Sequence, residues 1–206
     1  LSFKGSYNNF PSIFIPTTHG TGSEVTMWGT IWNMREKKKY SISNKSLYPN
    51  IAILDPSLTL TLPIDISIIT LMDAISHSFE AIWNKNANPT SNNFAVDAIT
   101  IILMNVNKLK KNPTNINARK NLLYASTLAG LAFSNTKTAA AHSISYPLTI
   151  IYGVPHGIAS SMSLVPLLEI NKSAINESLN KIYNKTELTF DKLIKVIKSI
   201  PNGHIP

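Results

Sequence analysis

Asp73 and His77 stand four residues apart in LMDAISHSFEAIW, an otherwise apolar segment that covers residues 71–83. On a helix, this spacing places both side chains on one face, one turn apart, so that a carboxylate oxygen and an imidazole nitrogen can meet at one point. Such a pair is suited to binding a metal ion, although an ordinary helix-face Asp and a hydrogen-bonded core His would give the same pattern. Glu80, about two turns beyond Asp73 on the same helix, is interpreted as structural.

Two further histidines, His142 and His156, lie in AAAHSISYPLTIIYGVPHG. This segment is predicted to be helical on both sides of a loop that contains Pro147, Gly153 and Pro155. A single buried His is usually a hydrogen-bonded core residue, but these two imidazoles could meet Asp73 and His77 from the other helix. One carboxylate and three imidazole nitrogens suit Fe(II) or Zn(II). If one coordination position stays open, the ion would act as a Lewis acid rather than as a structural clip.

A polar loop, PTTHGTGSE, follows the short apolar stretch SIFIP. Gly20 and Gly22 are expected to let the backbone approach a ligand, and such a loop after a strand is suited to a phosphate, a ribose or an amide group. The alternative is a plain turn, because the loop matches neither GxGxxG nor a P-loop. Its hydroxyl-bearing side chains are Thr17, Thr18, Thr21 and Ser23.

The elements that must position these residues change in character near residue 60. Short β-prone segments come first, and residues 12–16 are predicted to form a buried strand. After Pro56, apolar residues recur at helical spacing, and the helix that follows NPTSNN is predicted to be capped by Ser91 or Asn92. The sequence therefore predicts a strand-and-loop portion followed by an all-helical portion.

The composition is that of a globular protein with a basic balance. The 206 residues are 44% hydrophobic, carry a formal net charge of +8 and include no cysteine, which excludes disulfides. The charge could favour nucleic acid or an anionic substrate. However, the lysines are spread through the whole chain and no nucleic-acid-binding motif is found. A nucleic-acid-binding module is therefore the third alternative, and we expect no nucleic-acid partner.

The ends of the chain and its apolar runs bear on location. Charged residues interrupt each apolar run, so we expect no membrane-spanning segment. The N-terminus lacks a targeting pattern, so we expect a cytoplasmic protein. Because the first residue is Leu1 and no clear terminus follows IPNGHIP, we expect the chain to be an internal piece of a longer protein.

Four segments resemble, in order and spacing, the iron-containing (group III) alcohol dehydrogenases: PTTHGTGSEVT, AILDPSLTLTLP, LMDAISHSFEAIWNKNANPTS and HSISYPLTIIYGVPHG. The resemblance runs over nearly the whole chain. It implies four ligands for Fe(II) or Zn(II), namely Asp73, His77, His142 and His156. It implies that the nicotinamide and phosphate region of NAD or NADP is lined by Thr17, Thr18, Thr21 and Ser23. Lys39 matches a family lysine near the cofactor.

The resemblance also implies the fold class and the activity. The fold class is an α/β N-terminal portion, the end of a nucleotide-binding domain in residues 1–60, followed by an all-α metal-binding domain in residues 61–206 that is truncated at its end. The activity is that of an alcohol dehydrogenase or aldehyde reductase that transfers hydride between NAD(P) and a small alcohol or aldehyde. At full length, a homo-oligomer is implied. The alternatives are a non-catalytic metal-binding fragment and a glycerol-dehydrogenase-like relative.

Three features depart from the family pattern. The glycine-rich pyrophosphate loop is absent, which leaves catalysis by this chain alone open. Tyr146 stands where many members have a histidine and could replace it as a proton donor, or could merely pack. His19 stands where Ala is common. The segments EVTMWGTIW, EAIWNKNANP and HSISYPLT look most like the branch that reduces phosphonoacetaldehyde.

Overall fold

Strands occupy the N-terminal part of the chain in the computed structural model, which describes residues 10–203. β1 (Ile13–Phe14) pairs in parallel with β4 (Ile51–Ala52). β2 (Trp28–Asn33) pairs antiparallel with β3 (Lys38–Ser43) to form a hairpin. The predicted β-prone segments are thus strands, arranged in these two small sheets.

The β2–β3 hairpin presents one face of mixed aromatic and polar side chains. Alternate residues of a strand point to the same side of a sheet, so residues that oppose each other at every second position share a face. The pairs on this face are Trp28 with Ser43, Thr30 with Ser41, and Trp32 with Lys39. All six of these residues line one cleft.

The prediction that residues 12–16 form a buried strand was wrong in its burial. Ile13 is 56% exposed and Phe14 is 40% exposed. The physical reason is that β1 has β4 as its strand partner in the described part of the chain, and Ile51 of β4 is itself 51% exposed. An apolar run predicts burial only if another layer of the protein covers it, and within residues 10–203 these side chains stay largely exposed.

Helices occupy the rest of the described chain. Their bounds are α1 (Ile64–Ile82), α2 (Pro89–Lys111), α3 (Ile116–Thr136), α4 (Ala140–Tyr152), α5 (His156–Met162), α6 (Leu164–Asn171), α7 (Asn176–Thr186) and α8 (Phe190–Ser199). None of the helices in residues 10–203 is long and apolar enough to cross a membrane.

α1 is the central helix, and every residue from 71 to 82 is buried. It packs against α2, α3 and α5, which together leave no side of its second half exposed. A helix enclosed in this way is expected to be apolar all round. Three of its buried residues are nevertheless Asp73, His77 and Glu80, and buried polar groups of this kind require partners.

The N-terminus of α2 corrects a prediction. The capping residue is Asn88, not Ser91 or Asn92. Asn88 Oδ1 accepts from the Ser91 backbone N at 3.0 Å, and Ser91 Oγ accepts from the Asn88 backbone N at 3.0 Å. Pro89 explains the shift, because proline is favoured at the first helical position and the cap must therefore precede it.

The turn between α4 and α5 lets His142 of α4 and His156 of α5 both approach α1. Pro147 lies inside α4 and not in the predicted loop, and Gly153, with a φ of 70°, caps the C-terminus of this helix. α5 then begins at His156. The next residue is Gly157, and a Cβ atom added there would meet the Ile69 backbone oxygen at 2.0 Å. Only glycine permits so close an approach of α5 to α1.

The change from strands to helices falls between β4 and α1. This agrees with the change of character near residue 60 in the sequence. The division of the chain into two domains at that point stays a prediction.

Candidate metal centre

Four side chains converge from three helices. Asp73 and His77 come from α1, His142 from α4, and His156 from the first turn of α5. Asp73 Oδ1 lies 4.0 Å from His77 Nε2, 3.3 Å from His142 Nε2 and 3.8 Å from His156 Nε2. Asp73, His77 and His142 are buried, whereas the His156 side chain is 34% exposed.

The separations between these atoms fit a metal ion. Nitrogen and oxygen ligands at about 2.0–2.2 Å from a tetrahedral ion stand roughly 3.3–3.5 Å from one another. The distances from Asp73 Oδ1 to the three imidazole nitrogens approach this spacing, and one donor atom each from Asp73, His77 and His142 lie within 4.8 Å of one another. His142 Nε2 is buried, faces Asp73 Oδ1 and has no well-aligned hydrogen bond within residues 10–203. The donor set and this available nitrogen therefore suit Fe(II) or Zn(II).

Glu80 holds His142 in place. This carboxylate is fully buried, and its Oε2 makes a short contact with His142 Nδ1. Its Oε1 accepts from the backbone N–H groups of Ala139, at 3.0 Å, and His142, at 3.1 Å. A carboxylate on one imidazole nitrogen fixes the ring so that the other nitrogen faces the ion. Glu80 is thus structural, as interpreted, but it is a positioning residue of the centre.

The Asp73 carboxylate is also held in place, in this case by the hydroxyl group of a serine. Ser160 of α5 is fully buried, and its Oγ donates to Asp73 Oδ1 at 3.0 Å. The Ser160 backbone oxygen in turn accepts from Ser76 Oγ of α1 at 3.2 Å. The two helices are therefore joined by hydrogen bonds beside the carboxylate, and Asp73 has little freedom to rotate.

The pKa values of the cluster follow from burial and from mutual contact. Burial opposes ionisation of Asp73, but interaction with His77 and His142 outweighs it and holds the pKa of Asp73 well below its usual range. Burial also opposes protonation of His142, but the neighbouring Asp73 and Glu80 carboxylates raise its pKa to about 10. Burial lowers the pKa of His77 to about 4. A metal ion would therefore displace a proton from His142 at neutral pH.

A cleft of about 540 Å³ opens beside the four side chains. Aromatic rings form one continuous wall of it. Trp28 stacks on Phe133 at 5.5 Å between ring centroids, and Phe133 stacks on His77 at 4.1 Å. Trp32 meets the ring of His156 edge-on at 5.9 Å. The candidate centre thus lies against an apolar wall on one side and an open, partly polar space on the other.

Comparison with known proteins gives the family. A sequence profile described as the C-terminal part of the Fe-containing alcohol dehydrogenase family matches residues 67–194, and one described as iron-containing alcohol dehydrogenase matches residues 3–56. The chain belongs to the iron-containing alcohol dehydrogenase family. The family predicted from the four sequence motifs is confirmed.

Individual members of the iron-containing alcohol dehydrogenase family agree over most of the chain. A 1,3-propanediol dehydrogenase of Citrobacter freundii is 36% identical over 172 residues, which are 84% of this chain and 44% of that protein. The chain thus spans about half the length of the curated relatives it matches.

Solved structures of the family share the fold. A 1,3-propanediol oxidoreductase superimposes with a TM-score of 0.86 at 32% identity, over 95% of this chain and 54% of the other. A sulfoacetaldehyde reductase of Bifidobacterium kashiwanohense in complex with NAD+ gives 0.76 at 29% identity, over 95% of this chain and 59% of the other. The predicted fold class, an α/β N-terminal portion followed by helices, is confirmed.

The other residues singled out in the sequence are placed as follows in this iron-containing alcohol dehydrogenase chain. Thr21, Ser23, Lys39 and Tyr146 line the cleft beside the candidate centre, whereas Thr17 and Thr18 are not part of its lining. Lys39 Nζ lies 3.4 Å from the centroid of the Tyr146 ring. The structure therefore brings Tyr146 and Lys39 together in the cleft.

The two glycines of the polar loop PTTHGTGSE serve helix packing, whereas the sequence predicted that they approach a ligand. An added Cβ on Gly20 would meet the Thr70 backbone oxygen at 2.5 Å, and one on Gly22 would meet Gly130 Cα at 2.5 Å. A side chain is thus excluded at both glycines by close packing against α1 and α3, not by close approach of the backbone to a ligand. His19 between them is fully buried.

Several residues of the site escaped the sequence analysis. The positioning role of Glu80 has a signal in the sequence, since it follows His77 by three positions and so extends the same helix face. Ser160, Lys137 and Thr138 have none, because a serine in a short helix and two polar residues in a connection are common in any protein. The structure alone brings these residues to the centre or to its cleft.

Proposed function

We propose that this chain provides the metal centre of an NAD(P)-dependent alcohol dehydrogenase or aldehyde reductase that acts on a small alcohol or aldehyde. The observation that carries the proposal is the convergence of one carboxylate and three imidazoles beside an open cleft. Fe(II) or Zn(II) would be held by Asp73, His77, His142 and His156. When bound, the metal would serve as a Lewis acid toward the substrate oxygen while NAD(P) supplies or accepts the hydride.

The residues around the centre have separate tasks in this proposal. Glu80 and Ser160 orient the ligands His142 and Asp73. The aromatic wall that includes Trp32 excludes water from one side of the substrate. Tyr146, one turn after His142 on α4, holds and releases the proton of the alcohol, and the Lys39 ammonium over its ring keeps the phenol in the cleft.

The cofactor is proposed to lie beside Thr21, Ser23 and Lys39. These three residues line the cleft and would meet the nicotinamide and the adjoining phosphate. Thr17 and Thr18, which lie outside the cleft lining, would meet more distant parts of the cofactor. The NAD+ in the structure of the sulfoacetaldehyde reductase supports a nicotinamide cofactor, and either NAD or NADP meets these requirements.

The substrate is proposed to be a small aldehyde that carries an anionic group, with phosphonoacetaldehyde as the specific candidate. Two observations support this. Three segments of the sequence resemble the branch that reduces phosphonoacetaldehyde, and a structural relative is a sulfoacetaldehyde reductase. The whole protein is proposed to act as a homo-oligomer in the cytoplasm, without a nucleic-acid or membrane partner.

The test of the metal centre is the metal content of protein purified without chelators or affinity metals, measured by mass spectrometry. We expect about one iron or zinc ion per chain, since the four proposed donors would form a single site. His142→Ala and Asp73→Ala should lose it while the circular dichroism spectrum stays that of a helical protein. His19→Ala is the control, because His19 is buried outside the cluster, and it should keep the metal. Full metal content in both ligand variants would refute the assignment.

The test of the reaction is the oxidation of NADH or NADPH by small aldehydes, with the complete gene product. We expect turnover that disappears in His142→Ala. A metal-bound protein without turnover on any small aldehyde would instead favour the non-catalytic metal-binding alternative.

A further inference from the structure

We propose that Lys137 selects substrates with an anionic group by binding that group in the cleft beside the metal centre. The class of substrate is a short aldehyde or alcohol that carries a phosphonate, sulfonate or phosphate. The proposal rests on the aldehyde reductase function proposed above, and it names the residue that would set its specificity.

The first observation is the backbone of Lys137. This residue follows the last residue of α3 and has φ 69° and ψ 177°. That combination belongs to a region of backbone conformation that is essentially restricted to glycine, because a Cβ atom is strained there. A glycine would make the same turn without strain. The presence of a long charged side chain at this position therefore calls for a reason other than the turn itself.

The second observation is how firmly the strained segment is held. Asn84 Nδ2 donates to the backbone oxygens of Lys137, at 3.3 Å, and Thr138, at 3.4 Å. Asn86 Nδ2 donates to the backbone oxygen of Thr136 at 3.3 Å, and Thr136 Oγ1 donates to that of Lys137 at 2.9 Å. Surrounding contacts of this kind are what allow a strained conformation to persist. The side chain of Lys137 is thus presented from a fixed backbone.

The third observation is the charge around the cleft. Lys39 and Lys137 are its cationic lining residues, and Asp73 is its carboxylate, whose charge would be offset by the metal. Lys39 is already engaged over the Tyr146 ring. In the described part of the chain, no carboxylate oxygen lies within 4.0 Å of Lys137 Nζ. Lys137 is therefore the cation that remains for an anionic ligand.

Hydroxyl groups complete the surroundings that an anion requires. An oxyanion is best held by a cation together with several hydrogen-bond donors. Lys137 lines the same cleft as Asp73, His77 and His142, so a molecule bound in the cleft can contact both the lysine and the metal centre. The hydroxyl-bearing residues that line the same cleft are Thr30, Ser41, Ser43 and Thr138.

Binding of ethylphosphonate, which has no carbonyl group to reduce, tests the proposal by calorimetry on the metal-loaded complete gene product. We expect Lys137→Gly to weaken ethylphosphonate binding at least tenfold and, by relieving strain, to raise the melting temperature. Lys137→Arg should keep the binding, because it keeps the charge. Lys37→Gly is the matched control, since Lys37 also has a positive φ of 51° but lies in the hairpin turn outside the cleft lining. It should raise the melting temperature without changing the binding.

Kinetics then separate the substrate from the cofactor. In Lys137→Gly we expect the KM for phosphonoacetaldehyde to rise about tenfold, while the KM values for propanal and for NADH or NADPH stay unchanged. A raised KM for the cofactor alone would overturn the proposal, and so would unchanged or undetectable binding of ethylphosphonate to the parent protein and to Lys137→Gly alike. If the parent protein reduces no aldehyde, the proposed function fails, and the ethylphosphonate titration still decides the role of Lys137.

Discussion

Glu80 and Asp73 share His142, and this arrangement is the main electrostatic feature of the centre at the scale of single residues. The imidazole has a carboxylate at each nitrogen, with Asp73 Oδ1 3.3 Å from Nε2 and Glu80 in contact with Nδ1. With a metal ion on Nε2, Nδ1 would keep its proton and donate it to the Glu80 carboxylate. Glu80 thus fixes both the tautomer and the direction of His142.

Glu80→Gln should therefore weaken metal binding by about 10–100-fold, the usual effect of losing such a partner. The amide keeps the shape of the side chain but loses its charge, so the imidazole becomes a poorer ligand. Competition with a chelator of known affinity measures the change. Glu169→Gln, at an exposed position of α6, is the control and should bind metal normally. Equal affinity in the two variants would show that Glu80 has no part in the centre.

His19 is a second unusual residue, because it is fully buried and neither ring nitrogen has a hydrogen-bond partner in the described part of the chain. Burial, together with the nearby Arg119 charge, lowers its pKa from 6.5 to about 4. Between these two values the unfolded state binds a proton that the folded state does not. The contribution of neutral His19 to the free energy of unfolding is therefore fully present above pH 6.5 and decreases as the pH falls toward 4.

This shift predicts a loss of about 3 kcal/mol in the free energy of unfolding between pH 7 and pH 4 from His19 alone. Denaturant unfolding at several pH values measures it. In His19→Ala this contribution to the pH dependence should vanish, although the variant starts from a lower stability at pH 7 because it leaves a cavity. An identical decline in both proteins would mean that His19 is not buried in its neutral form.

At the scale of elements, the centre depends on the close contact of α5 with α1. The two helices touch through backbone at Gly157 and are joined by the hydrogen bonds of Ser160. His156 lies directly before Gly157, and Asp73 lies across the contact. Any change in the spacing of these helices must therefore move one metal ligand relative to another.

Gly157→Ala tests this contact, because two effects predict opposite results. Helix propensity alone would stabilise the protein by about 1 kcal/mol. The overlap with the Ile69 backbone oxygen at 2.0 Å should instead destabilise it, by about 1–3 kcal/mol, and should weaken metal binding. Gly29→Ala is the control, since an added Cβ there meets nothing within 4 Å. A stabilised Gly157→Ala protein with normal metal affinity would contradict the packing described.

At the scale of the whole molecule, the candidate ligands join α1, which lies at the centre of the core, to α4 and α5. α7 and α8 supply no candidate ligand. α4 has fewer buried residues than α1, among them Ala141, Ser145 and Ile150. Bound metal would therefore contribute most to the order of α4 and α5.

Metal should accordingly raise stability and slow hydrogen exchange unevenly. At a free metal concentration of 100 times Kd, the gain in the free energy of unfolding is about 2.7 kcal/mol. Amide exchange followed by mass spectrometry should slow most in α4 and α5, and much less in α8. The same titration of His142→Ala should change neither quantity. Equal protection of all helices would show that the metal acts only through global stability.

Much of this could be predicted from the sequence where the relevant residues are neighbours along the chain. The spacing of Asp73 and His77 indicated one helix face, because helical geometry is local. The family followed from four motifs in order. The strand and helix segments also followed, since hydrophobic periodicity is set by each element on its own.

The sequence failed where burial and contact depend on distant parts of the chain. Apolar residues at 12–16 predicted a buried strand, but no local pattern states whether another layer covers them. Gly20 and Gly22 were predicted to let the backbone approach a ligand. Instead, the close packing of α1 and α3 excludes a side chain at these two positions. Proline at the start of α2 moved the cap to Asn88, which a closer look at local rules would have given.

The sequence by itself determined the types of the candidate ligands, the helix that carries two of them and the family. The meeting of His142 and His156 with Asp73 was predicted, and the tertiary structure supplied its geometry. Only the tertiary structure decided that Glu80 orients His142 and that Lys137 lines the same cleft in a strained backbone conformation. The residues that meet are far apart along the chain, and Asp73 and His156, for example, are separated by 83 positions. Their meeting depends on helix packing, which no short segment encodes.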